Sequence, residues 1–243
     1  MKKRIYLVLL SVIVIFFSCR DDSGTFEEQV FTHSEITNAL RGCIKAASDS
    51  TLNALCVVDT LHQTHGYYYF DSKAYRIELP AVAKQVTDTL TAYGFGGALD
   101  TLVFNMNRAA EKCGNRIKSL FLDPLKNITF PNLYQTLHGG NSAITDYVKE
   151  TKQNELLALL KTSILLEQFN ALNVNLTWDQ FQEAYYEITQ KYSSVDIFNP
   201  AVEQVVDGFF KKMALCEEAI RKNPELRGDK TGWLFRVFAS LDN

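Results

Sequence analysis

Leu99, Val103, Met106, Ala110, Cys113, Ile117 and Leu120 recur at intervals of three and four residues. That spacing lines one face of an α-helix and leaves the polar residues between them on the other. The same period returns at Ile36, Leu40, Cys43, Ile44 and Ala47, at Val82, Val86, Leu90 and Tyr93, and at Phe181, Ala184, Tyr185 and Ile188. A β-like pattern, aromatic and partly alternating, is confined to residues 67–79. The patterning predicts an all-α fold: a single multi-helix, bundle-like domain with one short extended or hairpin segment near 67–79. With 47% hydrophobic residues in 243, the chain buries a substantial core and is not globally disordered.

Local punctuation divides the pattern into helices. Thr32 with Glu35 three residues later has the form of a capping box. Pro80 suits the first turn of a helix that Gly94, Gly96 and Gly97 then end. One helix is expected over 99–122, with a break at Asp123-Pro124, because the residue before proline is pushed out of the α region. A short helix over 131–137 stops at Gly139-Gly140, and another covers 142–172 with a bend at the polar residues 152–154. Thr177 and Gln180 read as a second capping box, and Asn199-Pro200 as an N-cap followed by proline at the first helical position. A final helix is expected over 231–238, and no repeat or linker divides the region from 33 onward.

The N-terminus carries a different signal. Lys2, Lys3 and Arg4 precede an apolar run of 13 residues, Ile5 to Phe17, then Ser18 and Cys19. A positive start, a short apolar stretch and a small residue before the processing point make a secretory signal, and the run is shorter than the roughly 20 residues that span a bilayer. Ser18-Cys19 resembles the lipobox of bacterial lipoproteins, although Phe16 and Phe17 are bulky for it; a plain secretory signal and a retained anchor are the alternatives. The expected division is a signal peptide over 1–18, an acidic tether over 19–31 and the all-α domain over 32–243. Loss of Lys2, Lys3 and Arg4 takes the formal charge from −3 to −6. A chain of that sign has no basic stripe for phosphates, which excludes nucleic acid as an expected partner. The membrane is the expected partner, through lipid on Cys19.

Few residues suggest chemistry. Cys43, Cys56, Cys113 and Cys216 match no zinc spacing and sit in apolar helical patterns, so they read as buried thiols, with up to two disulfides as the alternative. His62 and His65 lack an acidic neighbour, so capping outweighs metal binding. No cofactor, no metal and no catalytic residue is assigned. Asn107, Glu111 and Asn115 are spaced to share one helix edge, with Arg108 in reach of Glu111. They form either an ion pair on a solvated face or a guanidinium–carboxylate pair lining a cleft. Glu217, Glu218 and Arg221 repeat the arrangement, but adjacent residues on a helix diverge by about 100°, so the two glutamates cannot face one substrate. Structural pairing is expected there, with Arg221 also placed to meet helix-end carbonyls.

Ordered motifs carry a resemblance. IELP at 77–80, MNRAAEK at 106–112, GGNSAITDY at 139–147, VVDGFF at 205–210 and EEAIRKNPELR at 217–227 occur in sequence. Together they are similar to a bacterial family catalogued as domain of unknown function 4197, helical and often lipoprotein-like. The resemblance covers roughly 34–238. It departs at Phe130-Pro131-Asn132 and at Leu160-Lys161-Thr162. The family has no assigned activity, so the resemblance implies a fold and not a reaction. The expected function is a lipid-anchored bacterial envelope protein acting as a binding or interaction module for an envelope protein or a small polar ligand. Its candidate ligand-binding residues are Asn107, Arg108, Glu111, Tyr147 and Arg221. The competing reading is an envelope hydrolase or transferase using a polar cleft around Arg108 and Glu111.

Overall fold

The computed structural model describes residues 30–56, 65–68, 74–125 and 128–242, with the side chains of 120–125 left aside. The signal sequence, Cys19, most of the acidic tether, His62 and residues 69–73 of the β-like stretch lie outside the described residues. Residues Phe31–Asn243 form one unit, and its fold is all-α.

Helix α1 (His33–Leu55) opens on the expected capping box. The Thr32 hydroxyl accepts from the Glu35 N–H at 3.3 Å, and the Glu35 carboxylate accepts from the Thr32 N–H at 2.7 Å. Its apolar stripe, Ile36, Leu40, Cys43, Ile44, Ala47 and Leu55, is fully buried, each large side chain contributing about 1.5–3 kcal/mol. Pro80 and a 3₁₀ turn (Ala81–Ala83) lead into α2 (Lys84–Ala92), and Gly94, at φ +92, ends it in a conformation that favours glycine. Then follow α3 (Gly96–Lys112), α4 (Gly114–Leu125), α5 (Leu133–Leu137) and α6 (Ala143–Leu159). A π-helical turn (Leu160–Ile164) joins α6 to α7 (Leu165–Ala171), followed by α8 (Val174–Thr189) and α9 (Phe198–Lys222). A 3₁₀ turn (Pro224–Arg227) and α10 (Trp233–Ala239) close the chain. Helix α1 packs against α9, α10, α4 and α5, while α2, α3, α7 and α8 pack among themselves. No helix among the described residues is long and apolar enough to cross a membrane.

Several boundaries differ from the sequence reading. The stripe expected as one helix over 99–122 is two, because Gly114 lies hard against α1: a Cβ there would come 2.2 Å from the Cys56 Cβ. The chain turns at Cys113 to make that approach, and Asn115 falls exposed on the next helix, away from the edge it was expected to share with Asn107 and Glu111. Pro124 does not stop α4, which runs one residue past it to Leu125. The irregularity in the long helix falls at 160–164 rather than 152–154. Thr162 and Ser163 turn their hydroxyls back onto the carbonyls of Ala158 and Leu159 there, competing with the regular ladder. Helix α8 starts at Val174 after Asn173 in the left-handed conformation, so Thr177 is internal and not a cap. Asp196, not Asn199, caps α9, its carboxylate accepting from the N–H groups of Phe198 and Asn199.

There is no strand among the described residues, and residues 76–80 form a segment without regular secondary structure that reaches Pro80 in a β-region conformation. Its backbone is met by side chains. The Gln204 amide accepts from the Glu78 N–H and donates to the Glu78 carbonyl, both at 2.9 Å. Other irregular connectors are held the same way: Arg41 donates to the Ile128 carbonyl, Trp178 donates to the Val195 carbonyl, and Gln182 accepts from the Val195 N–H. Side-chain amides and guanidinium groups on helices thus do the work of a neighbouring strand.

Candidate functional site

The structure puts the candidate residues in two places. Asn107, Arg108 and Glu111 lie on α3, and all three are buried. The Asn107 carbonyl oxygen accepts from the Ile77 N–H at 2.8 Å, and its amide donates to the carbonyls of Ile77 and Val103, each at 2.8 Å. Asn107 therefore grips one residue of this segment as Gln204 grips the next, and the peptide between Ile77 and Glu78 is held from both sides.

One turn on, Arg108 donates to the Glu111 carboxylate at 2.6 Å, with side-chain exposures of 8% and 0%. Glu111 also accepts from the Tyr68 N–H at 3.2 Å. The Arg108 guanidinium lies over the Phe104 ring, which meets Tyr68 edge-on, and Arg76 stacks over Tyr68 in turn. Burial lifts the Glu111 carboxyl from its ordinary 4.5 to about 7, against the opposing pull of Arg108 and the peptide N–H groups of Tyr68 and Tyr67. Of the two sequence readings of this pair, the solvated face is excluded. Tyr67 is fully buried beside it, donating to the Val205 carbonyl at 3.0 Å.

Arg221 belongs to the other place. On α9, Glu217 is 1% exposed and accepts from the N–H groups of Ile144 and Thr145 and from the Thr145 hydroxyl, at 2.7–3.0 Å. Those N–H groups open α6, so the carboxylate caps another helix at the end its dipole makes positive. Arg221 donates to Glu217 at 2.8 Å and to the carbonyls of Leu137 and Thr136 at 2.8 and 3.1 Å. These are the closing carbonyls of α5, where a cation is favoured. One buried pair thereby fixes both sides of the Gly139-Gly140 turn. Glu218 points away, as the helical angle requires, and pairs with Lys222 and Asn141. Arg221 thus meets helix-end carbonyls as expected, but those of α5 rather than of its own helix. Arg227 closes α9, donating to the carbonyls of Ile220 and Arg221 and gripping Asp242 with two nitrogens.

Tyr147 is half-buried on α6. Its hydroxyl donates to the Thr129 carbonyl at 2.5 Å and its ring packs on Phe130. It also lines an open groove of about 360 Å³ with Gln135, Gly139, Asp146 and Glu150. A second groove, of about 350 Å³, is lined by Arg76, Glu78, Thr91 and Asp100. Neither is lined by Asn107, Arg108, Glu111 or Arg221. The four cysteines after Cys19 are free, and burial pushes the Cys113 thiol up to about 12 and those of Cys43 and Cys56 higher still. Among the described residues no group of three His, Cys, Asp or Glu side chains is placed to hold a metal.

Sequence reasoning missed Gln204, Thr145 and Arg227. Gln204 sits on a regular helix face with its partner 126 residues away, so no local signal marks it. Thr145 and Arg227 do fall inside the GGNSAITDY and EEAIRKNPELR motifs, but spacing alone did not reveal what they hold. The structure explains why the motifs go together: IELP is gripped by MNRAAEK, and GGNSAITDY is capped by EEAIR. No curated protein and no solved structure matches the chain. A family model described as a protein of unknown function (DUF4197) matches residues 30–239, nearly the whole of it, and the chain belongs to that family.

Proposed function

We propose that this chain is a lipid-anchored bacterial envelope protein whose helical domain serves as an interaction module. The sequence supports the anchor: a cationic start, a short apolar run and Cys19 directly after Ser18. The observation that carries the interaction reading is the direction of the buried polar side chains. Asn107, Glu111, Glu217 and Arg221 all turn to the protein's own backbone, where they brace a scaffold. What a partner meets is the outer surface. The groove beside Tyr147, walled by the carboxylates Asp146 and Glu150, has the volume of a small-ligand site and suits a cationic or hydrogen-bond-donating group.

Metabolic labelling with a fatty acid tests the anchor. Cys19→Ala is expected to lose the label and to leave the membrane pellet; a variant that keeps both overturns it. Cross-linking in native membranes tests the groove. A specific adduct is expected to weaken in Asp146→Asn and Glu150→Gln, and an adduct pattern indifferent to both removes the groove from the reading.

A further inference from the structure

The described domain begins at one end of α1, and the residues gathered there are of one kind. Phe31 packs into the core with the Arg236 guanidinium 5.9 Å from its ring, and the same guanidinium lies 4.7 Å from the ring of Trp233. Two residues on, His33 meets Tyr134 edge-on at 5.6 Å, and Tyr134 is 49% exposed. Trp233 is half-buried. We propose that this face, Tyr134, His33, Trp233 and Arg236 around Phe31, rests in the headgroup layer of the bilayer that carries the Cys19 lipid. It deepens the lipoprotein reading above and rests on it.

Chain length and residue chemistry support the same occupant. Twelve residue steps separate Cys19 from Phe31, which at ~3.5 Å each limits the separation to about 40 Å. A covalent lipid at one end of so short a segment holds the bilayer at a high effective concentration near the other. Trp, Tyr and Arg pair an apolar body with a polar tip, the combination that settles at a membrane–water boundary. Charge steering is not the cause, since the chain is acidic overall. The attraction is therefore expected with zwitterionic lipid.

Tryptophan emission gives a direct test, because the chain has only two tryptophans and Trp178 is 3% exposed in the core. The lipidated full chain is placed in phosphatidylcholine vesicles whose acyl chains are brominated either near the headgroup or near the bilayer centre. Shallow bromines are expected to quench Trp233 more than deep ones. Trp233→Phe should abolish the quenchable fraction, and Tyr134→Glu, an exposed change, should reduce it with the helical circular dichroism spectrum intact. Emission unaffected at either depth, in protein whose Cys19 carries an acyl group, overturns the proposal and leaves the anchor standing. Absence of the acyl group from Cys19 overturns the anchor reading, and this one with it.

Discussion

Arg108 with Glu111 on α3, and Arg221 with Glu217 on α9, are the same two side-chain types buried to the same depth, with exposures of 8% and 0% against 10% and 1%. Their surroundings differ. Glu217 faces the opening N–H groups of a 17-residue helix and a hydroxyl as well as its arginine, and Arg221 meets two closing carbonyls of another. Glu111 faces Arg108 and an irregular stretch at 67–68, and desolvation there prevails enough to bring its carboxyl near neutrality. Burying an ion pair is costly unless the remaining hydrogen-bonding positions are filled. The pair at α9 is met by two helix ends, whereas the α3 carboxylate is met by its arginine and by the peptide N–H of Tyr68 in an irregular stretch.

The largest effect is expected at the α9 pair, whose carboxylate also holds the start of another helix. Glu217→Ala strips Arg221 of its countercharge and leaves the N–H groups of Ile144 and Thr145 without their acceptor. A loss of about 3–5 kcal/mol is expected in urea unfolding. Glu111→Ala should cost less near pH 7, since that carboxyl already resists ionisation. Equal losses at the two sites would break the comparison.

Asn107→Ala comes next. It leaves the buried N–H and carbonyl of Ile77 unmet, at about 1–3 kcal/mol for each group before relaxation, and a total near 2–4 kcal/mol is expected. Protease cleavage within 74–80 should accelerate with it. Stability within error of the unaltered protein would mean that the segment is not held by this amide.

These residues also show where sequence reading ends. The Thr32–Glu35 box was legible because both partners lie within one turn, and the helical class because apolar period is a local property. The stripe of Asn107 and Glu111 was legible as a stripe, but its meaning depends on Ile77 and Tyr68, 30 and 43 residues away. Residues 67–79 read as β-like from their aromatic and partly alternating pattern, yet the described part of that stretch forms turns and an irregular run with no strand. What pairs with it is a side chain, and no alternation of hydrophobicity records that. Asp196 displaced Asn199 as the cap of α9, and a close approach to Cys56 divided the α3–α4 stripe; both outcomes belong to tertiary packing.

A pH titration sharpens the comparison at Glu111. With the folded value near 7 and the ordinary value 4.5, the folded chain retains a proton that the unfolded chain has released. That contribution is fully present below about pH 4.5, falls as the pH rises toward 7 and is flat above it. A decline on the order of 1–3 kcal/mol across the window is expected. Asp242, held low by Arg227, has the opposite sign and acts below its ordinary 3.8, so the two windows do not overlap. Glu111→Gln should remove the decline between pH 4.5 and 7 alone; a decline unchanged in that variant would assign it to another group.

The smallest effect separates the two amides that grip neighbouring residues. Gln204 holds Glu78 with the same pair of bonds that Asn107 makes to Ile77, all near 2.8–2.9 Å. Distance therefore cannot distinguish them, but water can. Ile77 is fully buried, whereas the contact at Glu78 is exposed, so solvent replaces the lost bonds once the side chain is gone. Gln204→Ala is expected to cost only about 0.5–1 kcal/mol, the net worth of an ordinary hydrogen bond rather than the penalty of an orphaned one. The double variant with Asn107→Ala carries the sharper information. The two clamps act on one five-residue segment, so the second loss should be smaller once the first has released it, giving a coupling that independent sites lack. Strict additivity would mean that each amide holds its own residue independently and that residues 76–80 do not move as a unit.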